Sequence, residues 1–226
     1  DFSHFKGGKD GQLAESKRAI EYCLQLNPRI MLEVGTDENV GTHYNLPNME
    51  ELEKEIDFFH GFCQPEFYVV QTGSLVKEIN QAGEFNTQFV KQIARLLKER
   101  SIKLKEHNDD YLPAEEIIMR RGTVDAMNIA PQLGVIQTQL VLIKCLVYGI
   151  DFSDFIEKIY NGKKWQKWLN KNSSENKFLC AVIAGHYHFT SDEYRDIIKR
   201  LEVVEDIHES IINNIMDVID HYESRF

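Results

Sequence analysis

From residue 12 to residue 148 the chain alternates between two hydrophobic periods, and this alternation restricts its fold more than any other feature. Apolar residues at helical spacing mark helices over 12–26 (Leu13, Ile20, Cys23, Leu24), after Asn48 (Met49, Leu52, Ile56, Phe59), after Asn86 (Phe89, Val90, Ile93, Leu96, Leu97), over 114–120 and over 136–148. Short runs of β-branched and aromatic residues lie between them, near 30–35, 67–72, 102–107 and 124–128. Asn48 with Glu51 three places on reads as a capping box, and Asn86 reads as the start of the next helix. Strand and helix taken in turn, with strands apolar enough for burial on both faces, is the sequence form of a parallel sheet with right-handed crossovers.

A repeat of about 30–40 residues fits a (β/α)8 barrel or a doubly wound open sheet. No G-x-G-x-x-G follows any of the strands, which counts against the dinucleotide-binding form. Asp1 to His4 read as the tail of a further strand, so five strand ends are in view; a closed barrel needs eight. The chain opens on Asp-Phe-Ser-His, with neither an initiator Met nor the regions of a signal peptide. The expectation is therefore a TIM-type barrel whose first strands, about three βα units, lie upstream of Asp1. From 151 onward helical patterns follow one another without a strand. Thr190-Ser-Asp-Glu193 reads as a capping box, and Ile207, Ile211, Ile215 and Ile219 form one stripe. The expected division is a βα-repeat domain over 1–150 and a helical segment over 151–226.

Composition excludes some partners. With 226 residues and 42% hydrophobic content the chain can bury one substantial core. Its longest apolar run, Leu140 to Ile150, is interrupted by Lys144 and Gly149, so no membrane partner is expected. The formal charge of −10 reads as short mixed clusters without a basic face, so no nucleic acid is expected either. Cys23, Cys63, Cys145 and Cys180 are too far apart for a zinc-type pair and read as buried reduced thiols, hence a cytoplasmic protein.

In parallel α/β folds functional groups sit where strands pass into the following loops. Polar residues gather there on every strand: Asp1 and His4; Glu33 with Asp37 and Glu38; Gln71 and Thr72; Glu106, His107 and Asp110; Asn128. Such groups can bind a polyhydroxylated substrate, hold a divalent metal (zinc or another) or move protons. Glu33 stands out, because a carboxylate inside an apolar strand costs several kcal/mol unless paired or ligated. Glu33, Glu106 and His107 are the candidate catalytic groups, and Glu33 with Glu106 the candidate metal ligands. Asp1, His4, Gln71, Thr72, Asp110 and Asn128 are the candidate substrate-binding groups. Bland readings stand beside these: Glu106 and His107 point to opposite faces of their strand, and Asp110 before Pro113 suits a helix N-terminus. Gly7-Gly8-Lys9 and Thr72-Gly73-Ser74 are turns that can present N–H groups to a phosphate.

The motifs LEVGTDENVG (32–41), PEFYVVQTGS (65–74), EHNDDYL (106–112), NIAPQLGV (128–135) and GHYHFTSDEYRDI (185–197) occur in this order along the chain. Together they resemble the GatZ/KbaZ-like family, accessory subunits of class II tagatose-bisphosphate aldolase, with related ketose-phosphate 4-epimerases. The resemblance implies a TIM-like barrel with a helical C-terminal part, acting on sugar phosphates. The family's E-H-x-x-D-Y segment maps onto Glu106, His107, Asp110 and Tyr111, whereas the loop after Gly35 departs from its usual Pro/Gly-rich form.

Three functions are compatible with these residues. One is metal-assisted aldol cleavage or epimerisation of a phosphorylated ketose, in which a cation polarises the carbonyl while a carboxylate or His moves the proton. The second is a non-catalytic subunit that stabilises a class II aldolase, with homo-oligomerisation as a further possible assembly. The third is a module that only binds a sugar metabolite.

Overall fold

Four strands of the computed structural model pair in parallel, and they do so in chain order. The structure describes residues 7–35, 46–169 and 173–226. The strands are β1 (Glu33–Gly35), β2 (Phe67–Val70), β3 (Val76–Lys77), β4 (Asn80–Gln81), β5 (Lys103–Glu106) and β6 (Ala126–Met127). β1, β2, β5 and β6 form one sheet in that order, while β3 and β4 make a separate antiparallel hairpin that the sequence pattern does not announce. Every pairing in the four-stranded sheet is parallel, with Glu33 opposite Phe67, Phe67 opposite Lys103, and Glu106 opposite both Val70 and Met127. Each strand falls inside its expected interval and is shorter than it. An α/β architecture with a parallel sheet is thus established.

The helices are α1 (Gly8–Leu26), α2 (Met49–His60), α3 (Thr87–Glu99), α4 (Ala114–Arg120), α5 (Pro131–Tyr148), α6 (Ser153–Gly162), α7 (Lys177–Ala184), α8 (Asp192–Leu201) and α9 (Ile207–Glu223). Short 3-10 turns stand at Lys164–Lys167 and Gly185–His188. Side-chain caps start the helices where the sequence places them: Asn48 Oδ1 accepts from the Glu50 and Glu51 amides, and Asn86 Oδ1 from that of Phe89. One cap moves by a residue, since Ser191 rather than Thr190 accepts from the Tyr194 amide and opens α8.

The chain divides into two compact units. The first comprises the chain to Ser74, Gly83–Asn108 and Arg120–Asn128; the second comprises Leu75–Ala82, Asp109–Met119 and Ile129–Phe226. In the first, α2 and α3 bury Ile56, Phe59, Val90, Ile93 and Leu97, and the sheet buries Tyr68, Val70 and Leu104. The second is built on α5, whose Val135, Val141, Leu142 and Cys145 join Phe155, Ile159, Ile183, Ile197 and Leu201 in one apolar cluster. The two units interleave along the chain, and α5 falls in the second with everything after it. The physical reason is that α5 is apolar on more than one face and packs against α7, α8 and α9.

All four cysteines are free; Cys145 and Cys180 are buried, but Cys23 and Cys63 are only partly so. Among the described residues no helix is long and apolar enough to cross a membrane.

Candidate functional site

Within the first unit the ends of β2, β5 and β6 are held level by the backbone. The His107 amide donates to Val70 O at 3.2 Å and the Asn128 amide to Glu106 O at 3.1 Å, which extends the ladder past the formal strand ends. β2 runs into Gln71, Thr72, Gly73 and Ser74, all buried. Gly73 has φ 134, and a Cβ there would lie 1.8 Å from Glu84 O. Only glycine lets the segment through Phe85 cross so close to this strand end.

Glu106 sits at the centre of the buried part of this rim. Arg120 Nε donates to Glu106 Oε2 at 2.6 Å and Arg120 Nη2 to Oε1 at 3.1 Å, with the two side chains 1% and 0% exposed. Oε1 also accepts from Ser74 Oγ at 3.0 Å and from Thr72 Oγ1. The Arg120 guanidinium lies 4.0 Å from the centroid of the Phe85 ring, a cation–π contact on its face. A buried carboxylate needs a cation and a full set of donors to remain in place, and Glu106 has both. Thr72 is thereby assigned as a donor to Glu106, as is Ser74.

His107 and Asn128 make the accessible part of the rim. Asn128 Nδ2 lies 3.3 Å from His107 Nδ1, within hydrogen-bond reach of the ring. Beside them Asn108 holds φ 62, a left-handed conformation that asparagine tolerates better than most residues, and its Nδ2 reaches Gln71 Oε1 at 3.5 Å. The Nε2 of Gln71 is buried with no hydrogen-bond partner. Three amide side chains and an imidazole thus line the ends of three neighbouring strands, a set suited to hydroxyl groups and to moving one proton.

Asp110 belongs to the second unit. Its Oδ1 accepts from the amides of Ala130 (3.1 Å) and Gln132 (2.8 Å) at the start of α5, and its Oδ2 is buried without a partner. Burial pushes its carboxyl up to about 6, against the opposing pull of those backbone donors. Tyr111 follows at φ 61, and burial first, then the Asp110 charge, raises its phenol. The segment is stapled from three sides: Gln132 Oε1 accepts from the Tyr111 amide at 2.8 Å, Gln81 Nε2 donates to Asp110 O at 3.0 Å, and Tyr222 Oη donates to Asp109 O at 2.7 Å. Asp110 is thus bound to the N-terminus of α5, rather than to that of the helix after Pro113.

Glu33 does not join the rim, which corrects the expectation of a buried carboxylate near Glu106. Its side chain is 46% exposed and pairs with Lys105 at 2.7 Å. By register it stands level with Phe67 and Lys103, and by alternation on the face of Lys105, opposite to that of Glu106. Among the described residues β1 stands at the end of the sheet order, and this face carries the partly exposed Glu33–Lys105 ion pair. Glu33 and Glu106 do not fit as ligands of one metal ion, being on opposite faces with both Glu106 oxygens engaged. Among the described residues no group of three or more His, Cys, Asp or Glu is placed to hold a metal ion. Asp1, His4, Asp37 and Glu38 lie outside the described residues. Neither candidate phosphate turn has its side chains open: Lys9 pairs with Glu55 at 2.6 Å, while Thr72 and Ser74 serve Glu106.

The residues that sequence reading misses are Arg120 and Phe85 around Glu106, and Gln132 and Tyr222 around Asp110; Ser74, read as part of a phosphate turn, donates to Glu106 instead. The need of a buried Glu106 for a cation is a signal for Arg120, although it does not choose between Arg120 and Arg121.

No protein-family model matches the chain, and no curated protein matches it. Among solved structures it is similar to the crystal structure of a probable tagatose 6 phosphate kinase from Sinorhizobium meliloti 1021, with a TM-score of 0.65 and 10% identity. The match covers 87% of this chain and 62% of that one, so this chain spans less than two thirds of the other protein's length. At such identity the likeness is one of fold.

Proposed function

We propose that this chain serves sugar-phosphate metabolism by binding a phosphorylated ketose at the ends of β2, β5 and β6. The observation that carries the reading is the His107–Asn128 pair at 3.3 Å beside the Gln71–Asn108 amides. A ketose presents hydroxyls that both donate and accept, and amides match that pattern without a charge. His107, whose Nδ1 lies 3.3 Å from Asn128 Nδ2, is the group we assign to proton transfer. The fold likeness to a protein named for tagatose 6-phosphate supports the substrate class.

For the architecture we propose a (β/α)8 barrel. Its support is the strand order: β1, β2, β5 and β6 follow one another without the reversal that marks a doubly wound sheet. Two forms of the activity follow from the reading. In one, this chain itself carries out aldol cleavage or epimerisation, with His107 moving the proton. In the other it is an accessory subunit that holds the sugar for a class II aldolase. The second form is favoured by Glu106, whose oxygens are committed to Arg120, Ser74 and Thr72 and are not placed to act as a base.

The test is calorimetric titration of the purified chain with tagatose 6-phosphate, with unphosphorylated tagatose and inorganic phosphate as comparators. Binding of the sugar phosphate, weakened about tenfold or more by His107→Ala and by Asn128→Ala, is expected. No binding at millimolar ligand, or binding indifferent to both substitutions, overturns the reading. Turnover of the bound sugar, with and without an added class II aldolase, then separates the two forms.

A further inference from the structure

Residues 158–177 carry six lysines and one acid, Glu175, in a chain of formal charge −10. That stretch is +5, and the remainder of the chain is −15. The acidic total of the chain hides this basic run.

The described residues of this stretch belong to the second unit, where aromatic rings organise them. α6 ends at Lys163 in the left-handed conformation, φ 56, and the chain turns at once into Lys164–Lys167. Trp165 and Trp168 face inward, 7% and 8% exposed, which leaves Lys163, Lys164 and Lys167 outward. Lys164 Nζ lies 5.9 Å from the Tyr187 ring centroid, Lys167 Nζ 4.7 Å from that of Trp168, and Lys177 Nζ 5.1 Å from that of Tyr160. The rings are joined in turn, since Trp168 Nε1 donates to Tyr187 Oη at 3.3 Å and Tyr160 stacks on Trp165 with centroids 5.3 Å apart. The β3–β4 hairpin adds another cation: the Glu78 amide donates to Trp168 O at 2.9 Å, and Lys77 Nζ donates to Lys167 O at 3.3 Å.

Neutralisation of these amines is incomplete. Lys158 pairs with Glu193 at 3.3 Å and Lys177 pairs with Glu157. Among the described residues neither Lys163 nor Lys164 has a carboxylate at ion-pair distance, although the chain holds 36 acids. Amines fixed over rings repel one another unless an anion lies across them. His188 registers the resulting field: burial first, then Lys158, and after the opposing effect of Glu193 also Lys164, hold its imidazole below the ordinary range.

We propose that this lysine face is a docking surface for an acidic polypeptide segment. The chemistry favours a peptide over a nucleic acid. Every cation in the patch is Lys, with no Arg to fork onto phosphates or base edges. Trp165 and Trp168 are buried, and Lys164 lies over Tyr187 and Lys177 over Tyr160, which leaves little ring surface for base stacking. The acidic remainder of the chain repels a long polyanion that extends beyond the patch, whereas a short acidic segment lies within it.

The experiment is fluorescence anisotropy of a labelled polyglutamate peptide of about twelve residues titrated with the full chain, at salt of about 50 mM and about 300 mM. Parallel titrations use an oligothymidine strand of similar length and phosphatidylserine vesicles. Binding at low salt is expected to weaken by about tenfold or more at high salt and in Lys164→Glu/Lys167→Glu. Lys91→Glu/Lys98→Glu on α3, which changes net charge equally, is expected to shift affinity less than about twofold. Lys164→Gln/Lys167→Gln supplies a milder variant should the reversal disturb the turn, and the wild-type salt dependence needs no variant. Absence of peptide binding at low salt overturns the proposal, as does equal loss in the two charge-reversed variants. Tighter binding of the DNA strand or of the vesicles overturns it in favour of that partner.

Discussion

Arg120 clamps Glu106 through two hydrogen bonds, Nε to Oε2 at 2.6 Å and Nη2 to Oε1 at 3.1 Å, with both side chains out of water. The residue that the sequence offers as a catalytic carboxylate is in this way the anchor that fixes the buried side of the rim. Thr72 and Ser74 complete its coordination, and Phe85 closes over the guanidinium.

Removing one partner of this pair strands the other as an uncompensated buried charge. Arg120→Met is expected to lower stability by about 3–5 kcal/mol, and Arg120→Met with Glu106→Gln to recover part of that loss. Urea denaturation of the two single variants and the double one measures the coupling. Losses that simply add would show that the two side chains do not act as a pair.

How much of this arrangement is readable in sequence depends on the range of the physics involved. Helices announce themselves because their signals are local: Asn48 and Asn86 bond to amides two or three residues on, and the Ile56 and Ile93 stripes repeat at helical spacing. Strand faces are not local. Alternation puts Glu33 in a strand, but only the register across β1, β2 and β5 decides that it shares a face with Lys105. The partner of Glu106 comes from the far end of α4, and that of the Asp109 carbonyl from Tyr222 more than a hundred positions away. The resemblance in the EHNDDYL motif draws attention to Asp110, yet the helix it caps is α5, across a sequence gap that pattern alone does not bridge.

Tyr222 ties the C-terminal helix to the segment 109–112. Its Oη donates to Asp109 O at 2.7 Å and accepts from the Leu112 amide at 3.1 Å. Tyr222→Phe keeps the ring and leaves both backbone groups without that partner, so a loss of about 1–3 kcal/mol is expected. Hydrogen exchange at the Leu112 amide checks the mechanism; protection equal to wild type would place the loss elsewhere.

Gly73 is held to one residue type by two independent constraints, φ 134 and the 1.8 Å approach to Glu84 O. Gly73→Ala is therefore expected to destabilise by well over about 1 kcal/mol, beyond what the entropy of the unfolded chain returns. Thermal unfolding against wild type measures it, and an unchanged midpoint would mean that the 83–85 segment does not cross there.

Asp110 gives the fold a pH dependence of unusual sign for a carboxyl group. Its folded-state value of about 6 lies above the ordinary 3.8, because burial penalises the charged form more than the Ala130 and Gln132 amides favour it. Between these values the folded state binds the proton more tightly than the unfolded state, so this group's contribution to stability falls as pH rises from about 4 to about 6. The span corresponds to at most on the order of 3 kcal/mol, complete once the folded carboxyl is ionised. Asp110→Asn keeps an oxygen for the two amides and removes the titration. The stability of wild type relative to Asp110→Asn, from urea denaturation at closely spaced pH values, is expected to decline through this window and level off above it. A difference that is flat from pH 4 to 7, or that rises, would show that the folded-state carboxyl is not raised.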